Sequence, residues 1–303
     1  MAAPDFIPPE TRARLKGLRL SARRSSGAFG FGLHSSHQRG AGKEFAQYRA
    51  YEPGDEPRQI DWKLYARSDK FFVREAQREA PLTLWIILDS SASMGQSDSA
   101  KPAWSRLAAA RCLAACAIEL ALRQDERFGV IGIGDGAVST LVPAASGARQ
   151  RDLCLLELHR LKAAGTWPAE AALRSLWERL APGALVLLLS DFFDNSTVIF
   201  AEKLAAAQRE VLCIQLLTAS ERDFPFVGGH RFRDPESGAE LITDAGAARA
   251  DFLQAFAEAR RALASRFTAA GIAHTGWVLD EPPDQALRQF FGPRGRRELG
   301  AAP

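Results

Sequence analysis

The run Leu88-Asp89-Ser90-Ser91-Ala92-Ser93-Met94 places one carboxylate and two hydroxyls at alternate positions, on Asp89, Ser91 and Ser93. All three are hard oxygen donors, which suit Mg²⁺ rather than zinc or copper. Mn²⁺ and Ca²⁺ fit the same donor type. Two further positions can join them. Asp191 closes the apolar run Leu187-Leu188-Leu189-Ser190 and brings a second carboxylate, and Thr166 offers a third hydroxyl from a loop that enters a helix. Taken alone, Asp-x-Ser-x-Ser is equally a turn and a helix N-cap, where Asp and Ser are common. Its setting argues for more, because the string follows one buried strand and Ser190-Asp191 ends another.

The elements around these residues read as a three-layer α/β fold with a doubly wound, mostly parallel sheet. Short continuous apolar runs mark strands buried on both faces: TLWIILD, RFGVIGIG, ALVLLLS and EVLCIQLLT. Helical patterns of ten or more residues alternate with them, at about 103–123, 148–161, 168–180, 197–207 and 247–270. After the Asp135-Gly136 turn, AVSTLVPA reads as a hairpin partner, and 219–244 reads as an insertion carrying a small hairpin. In such sheets ligands bind beyond the carboxyl ends of the strands, at the switch in strand order. Asp89, Thr166 and Asp191 all fall at such ends or in the loops after them.

The organisation expected is threefold. Residues 1–80 hold a basic helix of about 10–24, a Gly- and Ser-rich stretch and a segment rich in Arg, Asp and aromatic residues. Residues 81–282 form the main domain, and 283–303 a last helix and tail. In the Arg- and Asp-rich part of residues 1–80 Pro53-Gly54-Asp55 is a turn, and Arg49, Arg58 and Arg67 are expected to meet Asp55, Asp61 and Glu44 in a polar network; the alternative is a partner-docking surface, with Trp62 and Tyr65 as packing anchors under either reading.

At 303 residues and 47% hydrophobic content the chain can build a large core without disulfides or a structural metal. A formal net charge of +3 does not argue for nucleic acid, and none is expected as a partner. The first 40 residues carry seven basic against two acidic side chains, either a solvated helix face or a basic arm for an acidic partner or a membrane surface; with no run apolar and long enough to span, any membrane contact is expected to be peripheral. Cys112, Cys116, Cys154 and Cys213 lie in apolar runs without metal-ligand spacing, as reduced core residues of a cytoplasmic protein. No secretory leader pattern opens the chain. GVIGIGDG runs into a hairpin rather than a strand-to-helix turn, which excludes a dinucleotide fingerprint, and no phosphate-loop lysine or nucleophile elbow is present.

LDSSASM, then Gly165-Thr166, then LLLSDF, resembles the metal-ion-dependent adhesion site of von Willebrand factor A domains over about Leu82 to Leu279. The resemblance implies metal-holding roles for Asp89, Ser91, Ser93, Thr166 and Asp191. The family often has Gly-Gly-Thr before a polar residue, whereas this chain has Ala164-Gly165-Thr166-Trp167. The stretch ahead is similar to the signature of the bacterial domain-of-unknown-function 58 family: Glu44-Phe45, Arg49-x-Tyr51, Pro53-Gly54-Asp55, Arg58-x-Ile60-Asp61-Trp62 and Ala66-Arg67. That resemblance implies a non-enzymatic adaptor working with a MoxR-type AAA+ ATPase. The metal would take a carboxylate from a protein partner. The alternative is a Mg²⁺-dependent, phosphatase-like hydrolase using Asp89, similar to haloacid-dehalogenase-like sites. Those show Asp-x-Asp, and position 91 here is Ser.

Overall fold

The computed structural model describes residues 4–20, 47–51, 60–75, 82–98 and 101–292. They fall into two compact units, Met1–Ser26 with Leu82–Pro303, and Gly27–Pro81. The Gly- and Ser-rich stretch and the Pro53-Gly54-Asp55 turn lie outside the described residues.

In the larger unit the strands are β3 (Thr83–Asp89), β4 (Arg127–Gly134), β5 (Ala137–Ala145), β6 (Leu185–Ser190), β7 (Glu210–Leu217) and β10 (Ala273–Val278), after β1 and β2 of the smaller unit. They form one sheet in the order β10-β7-β6-β3-β4-β5. All neighbours are parallel except β5, which runs antiparallel to β4. The β4–β5 hairpin turns on Asp135 (φ 52°) and Gly136 (φ 70°), both in the left-handed region that a two-residue turn of this kind demands.

Alternate residues of central β3 feed different cores. Leu84, Ile86 and Leu88 pack with α3 (Arg106–Arg123), α4 (Ala148–Arg160) and α9 (Pro283–Phe291), whereas Trp85 and Ile87 pack with α6 (Asn195–Ala206) and the end of α8 (Ala245–Ala269). This is the three-layer, mostly parallel α/β fold expected from the sequence. Its sheet reverses strand order between β3 and β6, so the loops after these two strands diverge and leave a crevice.

Several boundaries differ from expectation. The basic helix α1 covers only Pro9–Arg14, and Gly17, at φ 87°, lies just beyond its end. Residues of this arm belong with the larger unit: Arg14 pairs with Asp284 of α9 at 3.6 Å, and Arg19 N–H donates to the Phe291 carbonyl at 3.2 Å. Helix α9 is likewise part of that body, burying Leu287, Phe290 and Phe291. The stretch expected as one helix over 168–180 is a 3₁₀ turn, Glu170–Leu173, followed by α5 (Arg174–Arg179). The insertion carries α7 (Ala219–Asp223) and a hairpin of β8 (Gly229–Arg233) and β9 (Glu240–Asp244).

In the smaller unit β1 (Gln47–Ala50) pairs antiparallel with β2 (Phe72–Glu75), and α2 (Trp62–Ser68) lies between them in sequence. The Asp61 carboxylate caps α2, accepting from the backbone N–H groups of Lys63 and Leu64. Glu44, Asp55 and Arg58 of the expected network lie outside the described residues. Tyr65 stacks on Phe71 at 4.5 Å, and Trp62, though 58% exposed, packs edge-on against both rings.

Candidate functional site

Asp89 is the last residue of the central strand and is buried. Both of its carboxylate oxygens are held. The Ser91 backbone N–H donates to Oδ1 at 2.8 Å, and the Ser190 hydroxyl donates to Oδ2 at 2.6 Å. Ser91 and Ser93 flank the start of a 3₁₀ turn, Ala92–Gly95, and their hydroxyl oxygens lie 3.1 Å apart. Such a spacing lets both face one small ligand. A close approach shapes the turn: Ser90 N–H donates to the Ile133 carbonyl at 2.7 Å, and a Cβ on Gly134 would run into the Ser90 carbonyl.

Asp191, just beyond β6, is also buried. Its Oδ1 accepts from the Phe193 N–H at 3.2 Å, and its carbonyl accepts from the Gln215 side chain at 3.0 Å. The Asp89 carboxyl is pushed up to about 7, first by burial and then by the Asp191 charge, against the lowering effect of the Ser190 and Ser91 hydrogen bonds. Two carboxylates thus sit buried beside two hydroxyls at the crevice, and among the described residues no cation pairs with Asp89.

Thr166 is placed differently. Its loop is stitched to the site by backbone: Ala164 N–H donates to the Ser90 carbonyl and Ala92 N–H to the Gly165 carbonyl, at 2.9 and 2.8 Å. Gly165 needs its φ of 59°, since a Cβ would strike Asp135. The Thr166 side chain is exposed, and among the described residues its hydroxyl makes no hydrogen bond. Four of the five residues named from sequence therefore converge, and the fifth sits on the adjoining loop.

Sequence reasoning missed Arg106 and Glu221, and the role of Ser190. Ser190 positions Asp89, as above. Arg106, the first residue of α3, is 0% exposed. Its Nη1 donates to Asp191 Oδ2 and to the Ser93 carbonyl, each at 3.0 Å, and to the Gln96 side chain at 3.3 Å. Its Nη2 donates to Glu221 of α7, and its guanidinium lies 5.2 Å from the centre of the Phe193 ring. A charged residue at a helix start reads as solvated in sequence, and no local signal marks its burial. The site opens on a cleft of about 660 Å³, whose lining includes Ser93, Arg106, Phe193, Glu221, Phe232 and Leu241. The β8–β9 hairpin supplies the last two.

Among the described residues no group of three or more His, Cys, Asp or Glu side chains gathers as a metal centre. The donor set is instead hydroxyls plus two carboxylates, a hard-oxygen set matched to Mg²⁺ and its relatives. The uncompensated buried charge on Asp89 is what a cation would relieve, so the residues fit such an ion. Asp89 Oδ1 and Oδ2 are already occupied by donors, which favours Ser91, Ser93 and Asp191 for direct contact.

A family model described as "Protein of unknown function DUF58" matches residues 47–262. The chain belongs to this family. It is 28% identical over 275 residues to "Uncharacterized protein Rv1480" of Mycobacterium tuberculosis and, equally, to "Uncharacterized protein Mb1516" of Mycobacterium bovis, covering 88% of this chain and 84% of each relative. Among solved structures it is similar to the conserved hypothetical protein BatB from Bacteroides thetaiotaomicron, at 15% identity and a TM-score of 0.45, covering 73% of this chain and 100% of that one. The SpRpn10 VWA domain is 13% identical with a TM-score of 0.38, covering 69% of this chain and 95% of that one. The DUF58 chain has a von Willebrand factor A-like fold by its own strand order and antiparallel edge strand.

Proposed function

We propose that this protein is a metal-dependent protein-binding module, whose site is built by Asp89, Ser91, Ser93 and Asp191 with Thr166 on the adjoining loop. One observation carries the reading: two buried carboxylates and two hydroxyls 3.1 Å apart converge at the carboxyl end of the central strand. Ser91, Ser93 and Asp191 would hold a divalent ion, Mg²⁺ or in its place Mn²⁺ or Ca²⁺, which would supply a Lewis-acidic centre for a partner's carboxylate. Ser91 and Ser93 offer neutral oxygens, which leave such an ion electron-poor. Ser190 holds Asp89 in a fixed rotamer, and the 660 Å³ cleft above Ser93 admits a side chain from outside. A hydrolase reading finds less support, because both Asp89 oxygens are committed to donors and residue 91 is Ser rather than a second carboxylate.

The partner we propose is a MoxR-type AAA+ ATPase, on the resemblance of residues 44–67 to the family signature, with the protein acting as an adaptor in chaperone-like assembly or maturation. Its four cysteines are free and buried, which suits a reducing cytoplasm. Among the described residues no helix is long and apolar enough to cross a membrane. The test is a pull-down from native cells with the full chain, with and without EDTA. Recovery of an AAA+ ATPase that needs metal, and is lost in a folded Asp89→Ala variant, supports the reading. Recovery unchanged by EDTA and by Asp89→Ala refutes it.

A further inference from the structure

We propose that Arg106 is a built-in counter-cation of this site, which competes with a divalent ion for Asp191 and so holds the site's affinity for such ions low. The inference rests on the metal reading above and concerns what sets its strength.

Arg106 is wholly buried, and its planar fork is spent on the site itself. Nη1 bonds Asp191 and the carbonyl of Ser93, both residues of the candidate metal shell, and Nη2 bonds Glu221. Burying an arginine between two carboxylates is a poor way to stabilise a fold, since an apolar trio of similar volume does as well or better. The arrangement instead divides the charge of the site. Asp191 is shared with the guanidinium, while among the described residues no cation pairs with Asp89. An ion seated at Ser91, Ser93 and Asp191 would take the share of Asp191 that Arg106 now holds, and would feel the guanidinium as a like charge. Glu221 offsets that repulsion by neutralising Arg106 from the far side. It belongs to α7 and lines the cleft, so the strength of metal binding and the wall that a partner meets are linked through one ion pair.

Charge removal at the two positions should therefore act in opposite directions, whereas a purely structural ion pair would weaken the site from either end. Mn²⁺ alone is the probe, titrated into the full chain and followed by electron paramagnetic resonance, with Ser93→Ala locating the binding. Arg106→Gln should bind Mn²⁺ about tenfold or more tightly than wild type, and Glu221→Gln less tightly by a similar factor, as expected for one unit charge near a divalent ion in a partly dry site. Ser93-dependent binding that is unchanged or weaker in Arg106→Gln overturns this inference and leaves the metal reading standing. If Arg106→Gln does not fold, Arg106→Met, which removes the charge and keeps most of the volume, takes its place, and Ser93-dependent binding unchanged or weaker than wild type overturns the inference. Absence of Ser93-dependent Mn²⁺ binding in wild type and both variants overturns the metal reading itself, and this inference with it.

Discussion

Replacing Asp89 with Asn removes a charge and almost no volume, and it should stabilise the metal-free protein. Burial and the Asp191 carboxylate raise Asp89 from 3.8 to about 7, so at pH 8 the folded state keeps an ionised carboxylate that it would rather hold protonated. The folded state binds the proton more tightly than the unfolded one. The stability this gives is complete below about pH 4 and is lost as the pH rises through about 7. At pH 8 the loss amounts to about 4 kcal/mol. Asn escapes it. Its Oδ1 still accepts from the Ser91 N–H, but its amide replaces the oxygen to which Ser190 donates, which returns about 1 kcal/mol. A net gain of about 3 kcal/mol corresponds to a Tm higher by roughly 6 °C or more. The assay is thermal unfolding followed by circular dichroism at pH 8 in EDTA, repeated with Mg²⁺. Wild type should melt below Asp89→Asn in EDTA, and Mg²⁺ should raise wild type alone. If Asp89→Asn melts at or below wild type in EDTA, the Asp89 charge is already compensated and the argument for an ion at this site fails.

Other outcomes follow from the same geometry. Ser190→Ala removes the donor to Asp89 and the acceptor for the Phe192 N–H, and should lower stability by about 1–3 kcal/mol in urea unfolding. Gly134→Ala drives a methyl into the Ser90 carbonyl, and should cost about 1–3 kcal/mol while displacing the Ser91–Ser93 turn, read as lost Mn²⁺ binding. His274 is held down to about 4 by burial, with the Arg260 charge adding to it. The unfolded chain takes up its proton at about 6.5, so the stability His274 gives is full above that pH and is lost as the pH falls toward 4. Acid unfolding curves of wild type and His274→Gln should therefore diverge between these values, with the variant losing less stability over that range.

Much of the fold was legible because its signals are local. Continuous apolar runs such as TLWIILD mark strands buried on both faces, and the helices between them keep their own period, so the layering and the strand-end position of Asp89 follow from short windows of sequence. Asp89, Ser91 and Ser93 belong to one loop, so their grouping needs no tertiary information. Asp191 was legible for a related reason, as a carboxylate at the end of a second buried strand. Local reading misjudged helix ends, as in α1, which stops ahead of Gly17 at φ 87°, and in the 168–180 stretch, which divides into a 3₁₀ turn and α5.

What only the tertiary structure decided is the charge of the site. Ser190 and Asp89 are 101 positions apart, Arg106 and Asp191 85, and Arg106 and Glu221 115. No pattern within one element ties such residues together. Burial sets their meaning, because an arginine at a helix start is unremarkable in water and dominant when its exposure is zero. The sequence by itself grouped the oxygens of Asp89, Ser91 and Ser93 at the end of the central strand and added Asp191 from a second strand end. The folded chain decided that a guanidinium stands beside them, since side chains far apart in sequence share a low-dielectric space only once the sheet and α3 have packed.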